Sequence, residues 1–348
     1  MANCNELFKH YNKAIKLDDS KREMLRSVRD ELRGRMSERY TGIESDIERP
    51  HELEFQSQGS FVMDTIITPK DDDFDLDDGV YFLGSLTKDK RPSIDNFHKW
   101  VLYAVGEGET YGTVSDKDTC VRVVYKKEKF HIDLPIYYSE NLECPELAHK
   151  KAGWTLSNPI EFIAWFEEKI ESGFRKEFIL ESKMYTEYEK WLNDIRKTDS
   201  QLRRIVRYLK GWADDLRGDM PPGIVMTILA AENYVSNQRD DLALNKTLKE
   251  IRGFLVNNGF KCPRPTIPKD EDLFEDYSTT KKEYFSDRLN SFIDSSNQAI
   301  ASDNQKEACL KWQKHLGYRF PCSLAKDEIE GAETHLNRPI IGSTAKSA

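Results

Sequence analysis

The feature that most constrains this chain is a pair of strand-like runs with carboxylates on one side. In "FDLDDGVYF", Phe74 and Leu76 alternate with Asp75 and Asp77; in "KFHIDLPIYY", Ile132 and Leu134 flank Asp133. Residues two apart in a strand point to the same face, about 6.5–7 Å apart along the chain. Asp75 and Asp77 therefore project together, with Phe74 and Leu76 on the opposite side. Set side by side in a sheet, the two runs let three carboxylates converge over an apolar reverse face. Such a cluster is disfavoured alone and favourable around divalent cations. Two Mg²⁺ ions about 3.5–4 Å apart are the usual device for in-line displacement at phosphorus. The rest of the acidic run, Asp71 to Asp73, reads as a solvated connection.

The surrounding pattern is α+β. "HELEFQSQGSF" reads as a strand ending in a Gly59-Ser60 turn, with a short helix opening in "VMDTIIT". "FDLDDGVYFLG" is a second strand and "SIDNFHKWVLYAVGE" an amphipathic helix. Val121 to Val124, a charged turn at Lys126–Lys129 and Phe130 to Tyr138 read as a hairpin. Two helices come first, Asn5 to Ile15 and residues 20–40, the second with Ser20 as N-cap. From about 159 the pattern is helical throughout, including "TEYEKWLNDIRK" and "SQLRRIVRYLKGWADDL"; the latter buries Leu202, Ile205, Val206 and Leu209.

Charge narrows the function. The formal net charge of -9 argues against a protein that coats nucleic acid, yet allows a small anionic substrate bound with metal. No apolar run reaches the length of a membrane span and the N-terminus lacks a signal-peptide core, so a cytoplasmic protein is expected. The six cysteines form no CxxC pair and have no His at finger spacing, which predicts reduced thiols and no zinc.

Three features beside the aspartates point to phosphate chemistry. A Gly59-Ser60 turn at a helix start presents backbone N–H groups and a hydroxyl to a phosphate. Lys210, in "VRYLKGW", is placed to reach a triphosphate as a point charge. Arg122, on the strand before that of Asp133, suits contact with phosphate or stacking on a base.

In order, "QGSF", "DLDDGVYF", "HIDLPIYY", "VRYLKGW" and "GYRFP" resemble the motifs of polymerase-β-like nucleotidyltransferases, and within them the bacterial cGAS/DncV-like branch. Asp78-Gly79 matches the DncV-like form of the strand. The resemblance implies a bilobed α+β fold with a central cleft. Residues 1–158 would be the nucleotidyltransferase palm, a small mixed sheet with helices behind an N-terminal spine helix. Residues 159–330 would be a helical domain closing the nucleotide pocket, and 331–348 a flexible tail. It implies two Mg²⁺ ions (or Mn²⁺) on Asp75 and Asp77, with Asp133 completing the site and it or a neighbouring carboxylate helping to deprotonate the attacking ribose hydroxyl. Gln58, Gly59, Ser60 and Lys210 would hold the donor triphosphate, and Arg122 the acceptor nucleotide. Where many relatives have a serine, this chain has "DMPPGIVM", with Gly223 nearest that place; backbone N–H groups would substitute for the hydroxyl. In the acidic loop "PKDEDLFEDY", Asp272 is the candidate to read guanine.

The implied activity is synthesis of a cyclic dinucleotide second messenger, cyclic GMP-AMP first, from ATP and GTP in CBASS antiphage defence. Its partners would be a messenger-activated effector and an E1/E2-like protein that conjugates the tail; no membrane or DNA is required. The alternatives are another cyclic oligonucleotide, such as cyclic di-AMP, or a linear nucleotidyltransferase that tails RNA or builds oligoadenylate. A dead scaffold finds no support, since all three aspartates and Lys210 are present.

Overall fold

The computed structural model describes residues 1–43, 52–71, 73–106, 112–140, 142, 144–170 and 199–327. The expected tail, the helix read in "TEYEKWLNDIRK" and Asp72 of the acidic connection lie outside the described residues.

The first part runs α1 (Asn5–Ile15), α2 (Asp19–Thr41), β1 (Leu53–Gln58), α3 (Gly59–Val62), β2 (Phe74–Leu83), α4 (Ile94–Val105), β3 (Thr113–Asp116), β4 (Cys120–Tyr125), β5 (Phe130–Ser139), β6 (Glu146–His149) and β7 (Gly153–Leu156). The strands form one sheet in the order β1-β2-β5-β4-β3, with β6 on the end of β5 and β7 on β6. Among the described residues, only β2 and β5 pair in parallel. Parallel neighbours need a crossover, and α4 with the β3–β4 hairpin supplies it.

The alternation in the sequence becomes the two faces of this sheet. Phe74, Leu76, Val80 and Phe82 of β2, Ile132 and Leu134 of β5, and Val121 and Val123 of β4 are all buried on the reverse face. There α2 contributes Leu25, Leu32, Met36 and Tyr40, and α4 contributes Phe97 and Val101. Phe82 meets Phe97 edge-on at 4.9 Å and Tyr40 at 5.7 Å. Each such side chain contributes roughly 1.5–3 kcal/mol. Asp78 also points to this face, where Arg33 (Nε 2.7 Å) and the Ser57 hydroxyl (2.8 Å) satisfy it.

Among the described residues six α-helices follow: α5 (Pro159–Ile170), α6 (Gln201–Leu216), α7 (Gly223–Glu232), α8 (Asp240–Asn257), α9 (Thr279–Ala301) and α10 (Gln305–Leu316). α1 packs among them, with the Phe8 ring 5.1, 4.9 and 5.0 Å from those of Tyr208, Trp312 and Phe320. Buried charges bolt α6 to the chain just after α3. Arg203 Nε donates to the Met63 carbonyl (3.1 Å), and Arg207 donates to the Asp64 carbonyl and to Asn12 Oδ1 (2.8 Å). Asp64 in turn pairs with Arg22 and with Lys16 (3.0 Å). These contacts fix the helix that carries Lys210 relative to the sheet.

Several expectations need correction. The N-cap of α2 is Asp18, whose carboxylate accepts from the Lys21 N–H (2.8 Å); Ser20 instead donates to Asp18 (2.7 Å). The short helix begins one turn earlier than expected, at Gly59 itself. Not all thiols are reduced: Cys309 and Cys322 form a disulfide. They are 13 residues apart, but the chain doubles back after α10 and brings their Cα atoms to 5.6 Å, within bridging range. Among the described residues, no helix is long and apolar enough to cross a membrane.

Candidate active site

The register of the sheet assembles the acidic cluster. Asp77 lies opposite Asp133 across β2 and β5, Asp75 lies opposite His131, and Arg122 on β4 lies opposite Asp133. Direct neighbours share a face, so all five side chains stand on the side away from α2 and α4. Beside them is a cavity of about 500 Å³, the size of a small-molecule site. Gln58, Gly59, Ser60, Asp75, Asp77, Lys210 and Gly223 line it, together with residues of α5, α6 and α7. Asp133 and Arg122 adjoin it on the sheet without lining it.

The Gly59 turn sits directly on Asp77. Gly59 has a φ of +69°, and a Cβ there would overlap the Asp77 carboxylate, so the close approach requires glycine. Gln58 lies opposite Asp77, and its amide donates to the Tyr137 hydroxyl (3.1 Å). Gln58 Oε1 is buried without a protein partner. Gly79 keeps that space open, since a Cβ there would lie 2.8 Å from the same oxygen.

Lys210 enters from α6, and its Nζ donates to the Thr65 hydroxyl (3.3 Å). Burial pushes its pKa down to about 8, with the Asp75 and Asp77 charges opposing the shift. Asp77 moves the other way: loss of hydration, then the Asp75 and Asp133 charges, raise it well above the usual carboxylate range. Gly223 opens α7 beside the lysine, and a Cβ there would press on Lys210 Cε at 3.3 Å. The glycine thus leaves room for the lysine stem. Thr227, one turn on, lines the cavity but donates its hydroxyl to the Gly223 carbonyl (2.7 Å).

Two expected nucleotide contacts are engaged elsewhere. Arg122 forks onto Asp133, Nε to Oδ1 and Nη2 to Oδ2, both at 2.7 Å. Asp272 lies outside the cavity lining; its Oδ1 accepts from the backbone N–H groups of Cys262 (2.9 Å) and Phe274 (3.0 Å) and so organises its own loop. The loop reaches the cavity through Arg264, whose Nε donates to Glu271 (2.6 Å).

Sequence reasoning missed Arg264, Tyr137, His131 and Thr65. Tyr137 and His131 were findable: counting in twos from Asp133 along β5 puts both on the carboxylate face. His131 Nε2 is 4.0 Å from Asp133 Oδ2. For Arg264 and Thr65 no sequence signal existed, because loop closure and helix docking place them.

The acidic cluster suits a hard divalent cation. Its donors are all carboxylate oxygens, as Mg²⁺ and Mn²⁺ prefer, and Asp77, raised by burial and then by the Asp75 and Asp133 charges, is only partly offset by Lys210 and Arg122. Among the described residues no three acidic, His or Cys side chains already enclose one point. Asp133 is engaged by Arg122, and would have to share or leave that pair to join Asp75 and Asp77.

Comparison with known proteins follows the same lines. The family profile described as "Cyclic GMP-AMP synthase DncV-like, nucleotidyltransferase domain" matches residues 53–137, the segment from β1 through most of β5. A cyclic GMP-AMP synthase of Escherichia coli is 25% identical over 316 residues, covering 82% of this chain and 72% of that protein. One from Vibrio cholerae is 25% identical over 253 residues, covering 62% of this chain and 56% of that protein. The fold is that of the Vibrio cholerae DncV cyclic AMP-GMP synthase solved with the linear intermediate 5' pppA(3',5')pG. The TM-score is 0.70 at 19% identity, over 92% of this chain and 98% of that one. Escherichia coli DncV with 3'-deoxy GTP is similar at a TM-score of 0.66 and 18% identity, over 90% and 95% of the two chains.

Proposed function

We propose that this chain is a DncV-like nucleotidyltransferase that joins ATP and GTP into cyclic GMP-AMP, a reading supported by the profile match over residues 53–137 and the likeness to cyclic GMP-AMP synthases. The observation that carries this reading is the register of Asp77 against Asp133, with the Gly59 turn seated on Asp77 and Lys210 beside it. In each of two transfers a ribose hydroxyl attacks the α-phosphorus of a nucleoside triphosphate. A P–O bond forms, the bond to the β-phosphate bridge breaks, and pyrophosphate leaves. The second transfer closes the ring.

The roles divide by position. Gln58, Gly59 and Ser60 seat the donor triphosphate, the first-turn N–H groups of α3 being without intrahelical partners. Lys210, held by Thr65, supplies a positive charge against the triphosphate. Asp133 or a neighbouring carboxylate takes the proton of the attacking hydroxyl. Asp75, Asp77 and Asp133 would hold two Mg²⁺ ions, which when bound neutralise phosphate charge and acidify the hydroxyl. Arg122, once it shares Asp133, faces the acceptor nucleotide. Family resemblance supports placing the enzyme in CBASS defence, with the product acting on a separate effector and a conjugating protein acting on the C-terminal tail.

The test is incubation of the pure protein with labelled ATP and GTP and Mg²⁺, with mass and linkage analysis of the product. A phosphatase-resistant ring with one adenine and one guanine is expected. Linear chains, or no product from a preparation that binds nucleotide, would overturn the reading.

A further inference from the structure

The motif "GYRFP" is left without a role by the chemistry above. α10 ends at Gly317, where φ is +76° and a Cβ would overlap the Asp215 carboxylate, so glycine lets this turn close onto the end of α6. Phe320 is buried against Phe8 and Tyr11, at 5.0 and 5.4 Å. Between these anchors the Arg319 side chain is 12% exposed, and its guanidinium forks. Nη1 donates to the Thr68 carbonyl (2.5 Å) and Nη2 to Asp214 Oδ2 (2.6 Å). The same Oδ2 accepts from the Lys70 N–H (2.9 Å). Asp214 follows Lys210 by one helical turn, hence lies on the same face of α6, and lines the cavity with Ile66, Ile67, Pro69 and Ala213.

We propose that Arg319 is a positioning residue for nucleotide binding: it locks residues 66–70 against α6 and cancels the Asp214 carboxylate facing the cavity beside Lys210. The inference rests on the nucleotide reading of this cavity. A carboxylate left uncompensated next to a triphosphate repels it, and the repulsion is strong where water is scarce. The other nearby cations compensate less. Arg217 approaches Asp214 at 3.8 Å, but it is 49% exposed and also pairs with Asp71 (2.6 Å), so solvent and salt screen it. The Lys70 ammonium is committed to Asp215.

The experiment measures dissociation constants for ATP and GTP with Mg²⁺, alongside kcat, KM and Tm. Arg319→Ala is expected to weaken nucleotide binding and raise KM about tenfold, with kcat changing less. Adding Asp214→Asn to that variant is expected to recover most of the loss, because it removes the repelling charge. A strut with no electrostatic role would show no recovery. Equal or weaker binding by the double variant, or loss of binding only in step with Tm, would overturn the proposal. Should Arg319→Ala fail to fold, Arg319→Gln retains N–H donors without the charge and permits the same comparison. If the wild type binds no nucleotide, the nucleotide reading falls first and this inference with it.

Discussion

Arg122 grips Asp133 through two parallel hydrogen bonds of 2.7 Å across neighbouring strands. The pair has one residue from the expected metal set and one from the expected nucleotide set. It balances charge in the metal-free enzyme and competes with a cation for the same carboxylate. Arg122→Ala is therefore expected to tighten Mn²⁺ binding about tenfold, the order of magnitude of a partly exposed charge-assisted pair. It should lower turnover as well if, as proposed, Arg122 faces the acceptor nucleotide. Titration of Mn²⁺ into both proteins checks the first effect and steady-state kinetics the second.

Asp77 carries the strain of the cluster. It holds its proton to higher pH in the fold than in the unfolded chain. The folded state then binds more protons, so stability of the metal-free protein falls as pH rises from the ordinary carboxylate range through the raised value. Asp77→Asn removes that charge. It should stabilise the metal-free protein at neutral pH by about 1 kcal/mol, a Tm shift on the order of 2 °C, while abolishing activity. Thermal melts in chelator, with and without added Mg²⁺, check this; Mg²⁺ should raise the Tm of the wild type alone.

Lys210 gives a pH signature. Its pKa is lowered to about 8 by burial. Below that value the free enzyme presents a charged ammonium to the triphosphate, and above it a neutral amine. Nucleotide affinity should weaken as pH rises from 7 to 9, and the inflection should vanish in Lys210→Met. The affinity of both proteins across this range is the measurement.

Two glycines make steric predictions of different size. Gly59→Ala strains a positive φ and drives a methyl into the Asp77 carboxylate. Activity is expected to fall at least about a hundredfold, since small displacements of a reacting group are costly. Gly223→Ala meets only the flexible stem of Lys210 at 3.3 Å. It should raise KM several-fold with little change in Tm. Kinetics on both variants, with melts as controls, separate the cases.

Legibility in the sequence tracked locality. Period-two alternation in "FDLDDGVYF" and "HIDLPIYY" put Asp75, Asp77 and Asp133 on one face, and the register confirms that they share it. The buried face of α6 was equally plain in Leu202, Ile205, Val206 and Leu209. β3, β6 and β7 went unseen because four-residue strands at a sheet edge carry too little pattern. Asp272 attracted notice as an acid in an acidic loop, yet its carboxylate caps two backbone N–H groups, a choice set by how the loop closes. Arg264 and Thr65 reach the site through contacts between distant segments, and the disulfide through the way the chain doubles back after α10, on all of which local pattern is silent.

The central claim is that Asp75, Asp77 and Asp133 form one metal-dependent site for nucleotidyl transfer. Pyrophosphate release from ATP plus GTP, measured against Mg²⁺ concentration for the wild type and for Asp75→Asn, Asp77→Asn and Asp133→Asn, tests it most directly. The account predicts metal-dependent release by the wild type and loss of at least about a thousandfold in each variant, since each removes charge stabilisation from the reacting centre. Release at the wild-type rate by any of the three variants, or release unaffected by chelator, would contradict it.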